Sequence, residues 1–198
     1  QKRADPGDDL LSGLTLAEVD GERLTNDDIV AFCVLLVIAG NETTTKLIGN
    51  AAFWLWKNPD QRRLLLDDPG RIPDAVEETL RYEGSTQIMA RTTTRPVELH
   101  GGVIPEGDKV LLLLGAGNRD PRFWDRPDEY DLDREKKLHL SFGHGVHVCL
   151  GAALARMETR ISLEHLLARF GEYDVDTAGI ERVHSGSVRG YSRLPITW

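Results

Sequence analysis

The longest apolar stretch of the chain, residues 29–39, is apolar at every position. Before it stands Thr25, a capping threonine with an acid three residues on, which predicts that a helix begins here. Since a helix that is apolar all round is typically buried all round, we expect this segment to lie in a core. Polar residues 40–45 interrupt the pattern, which resumes at residue 47 and ends before Pro59. The sequence therefore predicts one long core helix with a polar notch at its centre.

Three further helices are indicated by capping residues and by apolar positions that recur at three- and four-residue steps. They are predicted at 59–66, at 73–82, and from just after Cys149 to about residue 170. Short strands are predicted at 87–94, 97–99 and 109–112, with a small hairpin formed by 172–175 and 188–196. The predicted fold class is α+β, mainly α-helical, with short β-hairpins.

Length and composition narrow the class of protein. A chain of 198 residues can form one domain with a sizeable core, which we place at 14–198, with 1–13 as a linker or loop. Its 24 basic and 32 acidic residues give a net charge of −8, which argues against nucleic acid or anionic membranes as partners. The N-terminal segment lacks the apolar region of a signal peptide, and 29–39 is shorter than the roughly 20 residues that span a bilayer. Two cysteines are too few for a disulfide scaffold, so we expect a cytoplasmic protein.

Candidate chemistry is concentrated in residues 141–151, where three glycines and two histidines surround Cys149. The predicted helix that follows gives this loop a helix N-terminus, which favours an anion. A cysteine in such a place tends toward the thiolate, the form that binds a metal. From the residues alone three interpretations stay open: a haem ligand, a zinc ligand together with His144 and His147, or an inert structural cysteine.

The polar notch is the second candidate. Gly40 weakens a helix by about 1 kcal/mol relative to alanine. We expect Glu42 to be partly buried, where its carboxylate needs a partner, and threonine hydroxyls can bond a carbonyl one turn back and open the helix. The notch is either a groove for a small ligand with a proton route beside it, or the middle of a helix that reaches solvent.

A family resemblance connects these features. The loop contains the pattern Phe142-Gly143-x-Gly145-x-His147-x-Cys149-x-Gly151. This pattern resembles the haem-ligand loop of the cytochrome P450 monooxygenases in their soluble bacterial form. The resemblance implies haem b as cofactor, with Cys149 as the axial thiolate ligand of iron. It also implies that Phe142, Gly143 and Gly151 border the haem.

The notch is similar to the oxygen-binding helix of the same family, through Ala39-Gly40-x-Glu42-Thr43-Thr44. In that helix the acid and the following threonine deliver protons, so the resemblance assigns catalytic roles to Glu42 and Thr43. Ala39 and Gly40 would then lie against the cofactor.

Further positions match the family's order of motifs. Glu78-x-x-Arg81 resembles its structural Glu-x-x-Arg pair, which Arg134, at the end of the turn-rich segment 118–134, would complete as a triad. Arg91 and His147 resemble the two residues that bind the haem propionates. The alternatives are a common surface ion pair worth about 0–1 kcal/mol for Glu78 and Arg81, and a solvent-facing charge for Arg91.

The resemblance implies insertion of one oxygen atom of dioxygen into a small hydrophobic organic substrate. Electrons would come from a ferredoxin and its NAD(P)H-dependent reductase. Residues 14–198 would be the C-terminal, haem-binding half of the family's domain. The alternative is a truncated, inactive chain that self-associates through an exposed core or pairs with its missing half.

Overall fold

The structure is a computed structural model that describes residues 2–198. The chain divides into two compact units, one that ends at Glu42 and one that runs from Thr43 to Trp198. The division falls inside a helix.

The first unit begins with helix α1, Leu10–Leu16, followed by strands β1, Glu18–Val19, and β2, Glu22–Arg23, which pair antiparallel. The Asp9 carboxylate accepts a 2.9 Å hydrogen bond from the backbone N–H of Ser12 and caps α1. The last residues of the segment 1–13, which the sequence suggested to be a linker or loop, therefore belong to α1. Asp9 supplies the N-terminal cap of that helix.

Helix α2, Asn26–Lys57, begins where its cap predicts. The Thr25 hydroxyl accepts a 3.1 Å hydrogen bond from the Asp28 N–H, and the Asp28 carboxylate accepts one of 2.9 Å from the Thr25 N–H. These reciprocal bonds satisfy donors that the first helical turn cannot pair internally. The helix is continuous through the polar notch and ends before Asn58 and Pro59.

The expected all-round burial of residues 29–39 is wrong for this chain. Ile29 is buried, but five side chains of this stretch are 52–68% exposed: Val30, Val34, Leu35, Val37 and Ile38. An apolar sequence promotes burial only where a partner surface exists, and residues 2–198 supply none for these side chains. By length and composition alone, α2 is also long and apolar enough to cross a membrane. Its later turns behave as a core helix, since Leu47, Ala51 and Leu55 are fully buried.

The second unit adds four helices: α3, Pro59–Asp67; α4, Ile72–Glu83; α5, Leu114–Gly117; and α6, Ala152–Phe170. Its core joins the later turns of α2 to α4 and α6. The members of that core are apolar and nearly inaccessible to solvent, and they include Leu47, Leu55, Val76, Leu80, Tyr130, Leu163 and Leu167.

The strands of this unit form two-stranded antiparallel sheets. Strand β3, Ile88–Thr92, pairs with β6, Lys109–Leu113, and β4, Val97–Leu99, pairs with β5, Gly102–Ile104. Strand β7, Asp174–Val175, pairs with β10, Ile196–Thr197, and β8, Glu181–Arg182, with β9, Tyr191–Arg193. The predicted fold class is confirmed, but the single C-terminal hairpin is two separate pairings, because the outer strands β7 and β10 enclose β8 and β9.

Candidate functional site

The loop that carries Cys149 is closed by its own backbone. The Cys149 N–H donates a 2.8 Å hydrogen bond to the Phe142 carbonyl, and the Gly143 N–H donates one of 2.8 Å to the Leu140 carbonyl. Gly143 and Gly145 adopt φ of 71° and 74°, which residues with a Cβ rarely tolerate. The two glycines therefore permit the chain to fold back and present Cys149, whose side chain is exposed.

The start of the loop is fastened to the rest of the unit by Asn118 and Ser141. The buried Asn118 donates a 2.8 Å hydrogen bond to the Ser141 hydroxyl and accepts one of 2.6 Å from the Leu140 N–H. The Ser141 hydroxyl in turn donates to the Leu80 carbonyl of α4. These bonds fix the position of the loop relative to α4.

Several apolar side chains of the loop and of the first turn of α6 are exposed. Val146, Val148, Leu150 and Leu154 are 53–97% accessible to solvent. Apolar side chains grouped in this way usually mark a binding surface. Part of the apolar pattern that predicted α6 lies on the solvent-facing side of that helix, where Leu154, Met157 and Ile161 are exposed. The opposite side is buried and carries Thr159, Leu163 and Leu167.

The predicted propionate-binding residues are both exposed and lie on different elements. Arg91 is on β3, opposite Val110 of β6, and its guanidinium donates a 2.8 Å hydrogen bond to the Ala90 carbonyl. His147 lies in a short 3₁₀ turn within the cysteine loop. The structure thus brings His147 together with Cys149 in one loop and places Arg91 on a separate pair of strands.

The residues of the polar notch lie on α2, on either side of the division between the two units. Ala39, Gly40 and Glu42 are exposed, so the expected partial burial of Glu42 is wrong for this chain. Thr43 is half-buried, and its carbonyl accepts a 2.6 Å hydrogen bond from the Ser85 hydroxyl. The exposure of Glu42 matches the interpretation in which the middle of the helix reaches solvent.

Glu78, Arg81 and Arg134 form one buried network. Arg81 Nε and Nη2 each donate a 2.7 Å hydrogen bond to the Glu78 carboxylate, and Arg134 Nε donates one of 3.2 Å. Arg81 also donates to three backbone carbonyls of the turn-rich segment, those of Asn118, Pro127 and Glu129. The side chains of Glu78 and Arg81 are only 5% and 2% exposed, so this is not a surface ion pair.

Glu77, next to Glu78 on α4, forms a second ion-paired cluster that the sequence did not indicate. Glu77 accepts hydrogen bonds of 2.6 and 3.0 Å from Arg156 of α6 and one of 3.2 Å from His139. Burial raises the pKa of Glu77, but the hydrogen bonds from His139 and Arg156 outweigh it and lower the pKa to about 2. Sequence gave no signal for this pair, because its members are 79 positions apart.

The site does not have the form of a zinc centre. Across residues 2–198, no three His, Cys, Asp or Glu side chains converge in a way that could hold a metal ion. Cys149 instead offers one thiol from a glycine-rich loop flanked by exposed apolar side chains. That donor set fits a flat, largely apolar cofactor whose iron takes a single thiolate ligand.

Comparison with known proteins defines the class. Residues 72–179, more than half of the chain, match the family model of cytochrome P450. The chain belongs to the cytochrome P450 family.

Among its relatives, a protein named cytochrome P450 123 from Mycobacterium tuberculosis is 51% identical over 98% of this chain and 49% of its own length. The erythromycin C-12 hydroxylase of Saccharopolyspora erythraea is 47% identical over 99% of this chain and 50% of its own. The crystal structure of CYP109E1 from Bacillus megaterium in complex with testosterone superimposes with a TM-score of 0.93 at 36% identity, over 98% of this chain and 54% of that one. The chain thus spans about half the length of the curated relatives it matches.

Proposed function

We propose that this chain serves in a haem-dependent monooxygenase that inserts one oxygen atom of dioxygen into a small organic substrate. The observation that carries this proposal is the exposed Cys149 thiol at the end of a backbone-closed loop, among exposed apolar side chains. When bound, haem with a thiolate ligand supplies the activation of dioxygen. Membership of the cytochrome P450 family supports the same assignment.

Cys149 would be the axial ligand of the haem iron. It stands three residues before the first residue of α6, whose unpaired N–H groups favour negative charge nearby. Arg91 and His147 would bind the propionates, since both side chains are exposed and a guanidinium matches a carboxylate. The residues that would border the macrocycle are Phe142, Gly143, Gly151, Ala39 and Gly40.

Glu42 and Thr43 would manage protons. They are adjacent on α2, and the resemblance of 39–44 to the family's oxygen-binding helix supports these roles. The exposed carboxyl of Glu42 is able to exchange protons with water, while the half-buried Thr43 would hold a proton at its hydroxyl.

The substrate class is a small hydrophobic organic molecule, which the names of two relatives support: one hydroxylates erythromycin and another binds testosterone. Electrons would arrive from a ferredoxin and its NAD(P)H-dependent reductase, in the cytoplasm. Replacement of Thr43 by alanine would then lower the yield of product per electron consumed. The rate of electron uptake would fall by a smaller factor.

A second candidate function is suggested by the exposed apolar side chains of residues 30–38. An apolar face of this kind favours association with a second copy or with a covering polypeptide. In that case the chain would be inactive by itself.

One experiment separates the two candidates. The purified chain is supplied with haem, a surrogate ferredoxin, its reductase and isotopically labelled dioxygen, with erythromycin and testosterone as trial substrates. Labelled product that disappears on Cys149→Ala and survives Cys33→Ala supports the monooxygenase. Haem uptake without labelled product favours the inactive candidate, and absence of haem uptake contradicts the proposed cofactor.

A further inference from the structure

Glu77 on α4 holds two cationic or hydrogen-bonding side chains from different parts of the chain. Arg156 of α6 reaches it with Nε at 2.6 Å and Nη2 at 3.0 Å, one nitrogen to each carboxylate oxygen. His139, which precedes the cysteine loop and is buried, reaches it with Nε2 at 3.2 Å. Glu77 therefore ties α6 and the entry to the cysteine loop to α4.

His139 is oriented by a second bond. Its Nδ1 accepts a 3.3 Å hydrogen bond from the Ser141 N–H, the first residue of the loop. Since Nδ1 is the acceptor, Nε2 carries the proton and donates to Glu77. The backbone of the loop is thus connected to Glu77 through a single imidazole.

Arg156 also contacts the loop directly. Its guanidinium lies 4.5 Å from the centre of the Phe142 ring, a distance typical of a cation–π contact. The Phe142 carbonyl accepts the hydrogen bond from the Cys149 N–H. The residue that Arg156 holds in place is therefore the one that holds the backbone of Cys149.

We propose that Arg156, clamped by Glu77 and stacked on Phe142, is a positioning residue for Cys149: it fixes the backbone of the loop that presents the thiol. This inference rests on the proposed haem-thiolate function. Its consequence is that loss of the Arg156 guanidinium loosens the backbone at Cys149, because Phe142 then loses a contact that holds it in place.

The chain offers a matched control on the same helix. Arg160 is 43% exposed, against 42% for Arg156, and pairs at 2.6 Å with Glu164 of its own helix. Arg160→Gln therefore removes an equally exposed, ion-paired arginine without touching the loop.

The test uses the haem-free chain and follows hydrogen–deuterium exchange of residues 141–151. Arg156→Gln is expected to speed exchange of the Cys149 amide by about tenfold or more, the factor that corresponds to one lost charge-assisted hydrogen bond. Arg156→Lys keeps the charge but loses the bidentate geometry, and it is expected to speed exchange by less. Equal exchange in all three arginine variants and the unchanged chain would overturn the positioning role. Should Arg156→Gln not fold, the comparison of Arg156→Lys with Arg160→Gln decides in the same way.

The haem-loaded chain separates this inference from the proposed function. If the unchanged chain takes up no haem through Cys149, the proposed function fails, whereas the exchange experiment still decides whether Arg156 positions the loop.

Discussion

Arg81 donates from two nitrogens to the two carboxylate oxygens of Glu78, one helical turn earlier on α4, and both side chains are buried. The same guanidinium binds backbone carbonyls of the turn-rich segment, whose first residue, Asn118, fastens the cysteine loop. A pair that in sequence looks like ordinary surface chemistry thus connects α4, through the turn-rich segment, to the loop of Cys149.

Removal of Glu78 should be strongly destabilising. Glu78→Ala leaves the buried charges of Arg81 and Arg134 without their carboxylate, which typically costs about 3–5 kcal/mol of unfolding free energy. Urea unfolding followed by circular dichroism measures the change. Glu164→Ala, which removes a half-exposed carboxylate on α6, should cost no more than about 1 kcal/mol. Equal effects of the two substitutions would contradict the anchoring role of Glu78.

The stabilisation that Glu77 provides should be lost in acid. Its pKa in the folded state, about 2, lies below the ordinary value of 4.5, so the unfolded state binds the proton more readily. The stabilisation is complete above about pH 5 and is lost as the pH falls toward about 2. Glu77→Gln should therefore be less stable than the unchanged chain at neutral pH, with a difference that shrinks through this window.

The test is the difference between the two chains, measured by urea unfolding at several pH values. That comparison is necessary because hydrogen bonds also lower the pKa of Asp9 and Asp120 to about 2, so acid weakens both chains. A difference that stays constant with pH would show that Glu77 is not held by its partners as described.

Gly84 should not tolerate a methyl group. A Cβ at this position would lie 2.6 Å from the Leu80 carbonyl oxygen and 2.7 Å from the Ser141 hydroxyl. Since its φ of −57° suits alanine, the cost of Gly84→Ala is steric, about 1–3 kcal/mol, and the displaced atom belongs to the start of the cysteine loop. Gly186→Ala is the control, because a Cβ there meets nothing within 4 Å and should change stability by less than about 0.5 kcal/mol. Thermal unfolding of both variants measures the contrast.

The exposed side chains of residues 30–38 should cause self-association. Light scattering is expected to find oligomers of the purified chain, and Val37→Asp with Ile38→Asp should reduce their mass, since these side chains are 68% and 66% exposed. Val103→Asp alters an equally exposed valine on β5 and should leave the mass unchanged. A monodisperse monomer of the unchanged chain would contradict this expectation.

Local signals predicted the elements well. Thr25 with Asp28 marked the start of α2, Pro59 marked its end, and the alternation of residues 97–99 gave β4 at its true bounds. The glycine spacing around Cys149 gave the loop, because a backbone with positive φ leaves a direct trace in the sequence. The fold class followed from these elements.

The exposure of side chains and the pairing of residues distant in sequence could not be predicted from local patterns. The apolar pattern of residues 29–39 predicts burial, yet burial depends on a covering surface that residues 2–198 do not supply. For the same reason Glu42 is exposed where the pattern suggested a buried carboxylate. Glu77 and Arg156 meet only after α4 and α6 pack together, so no spacing rule relates them.

The absorption spectrum of the reduced, haem-loaded chain under carbon monoxide tests the central claim, that Cys149 is the thiolate ligand, most directly. We predict a strongly red-shifted Soret band that persists in Cys33→Ala and is absent in Cys149→Ala. Failure to bind haem, or a band that survives the loss of Cys149, would contradict the account.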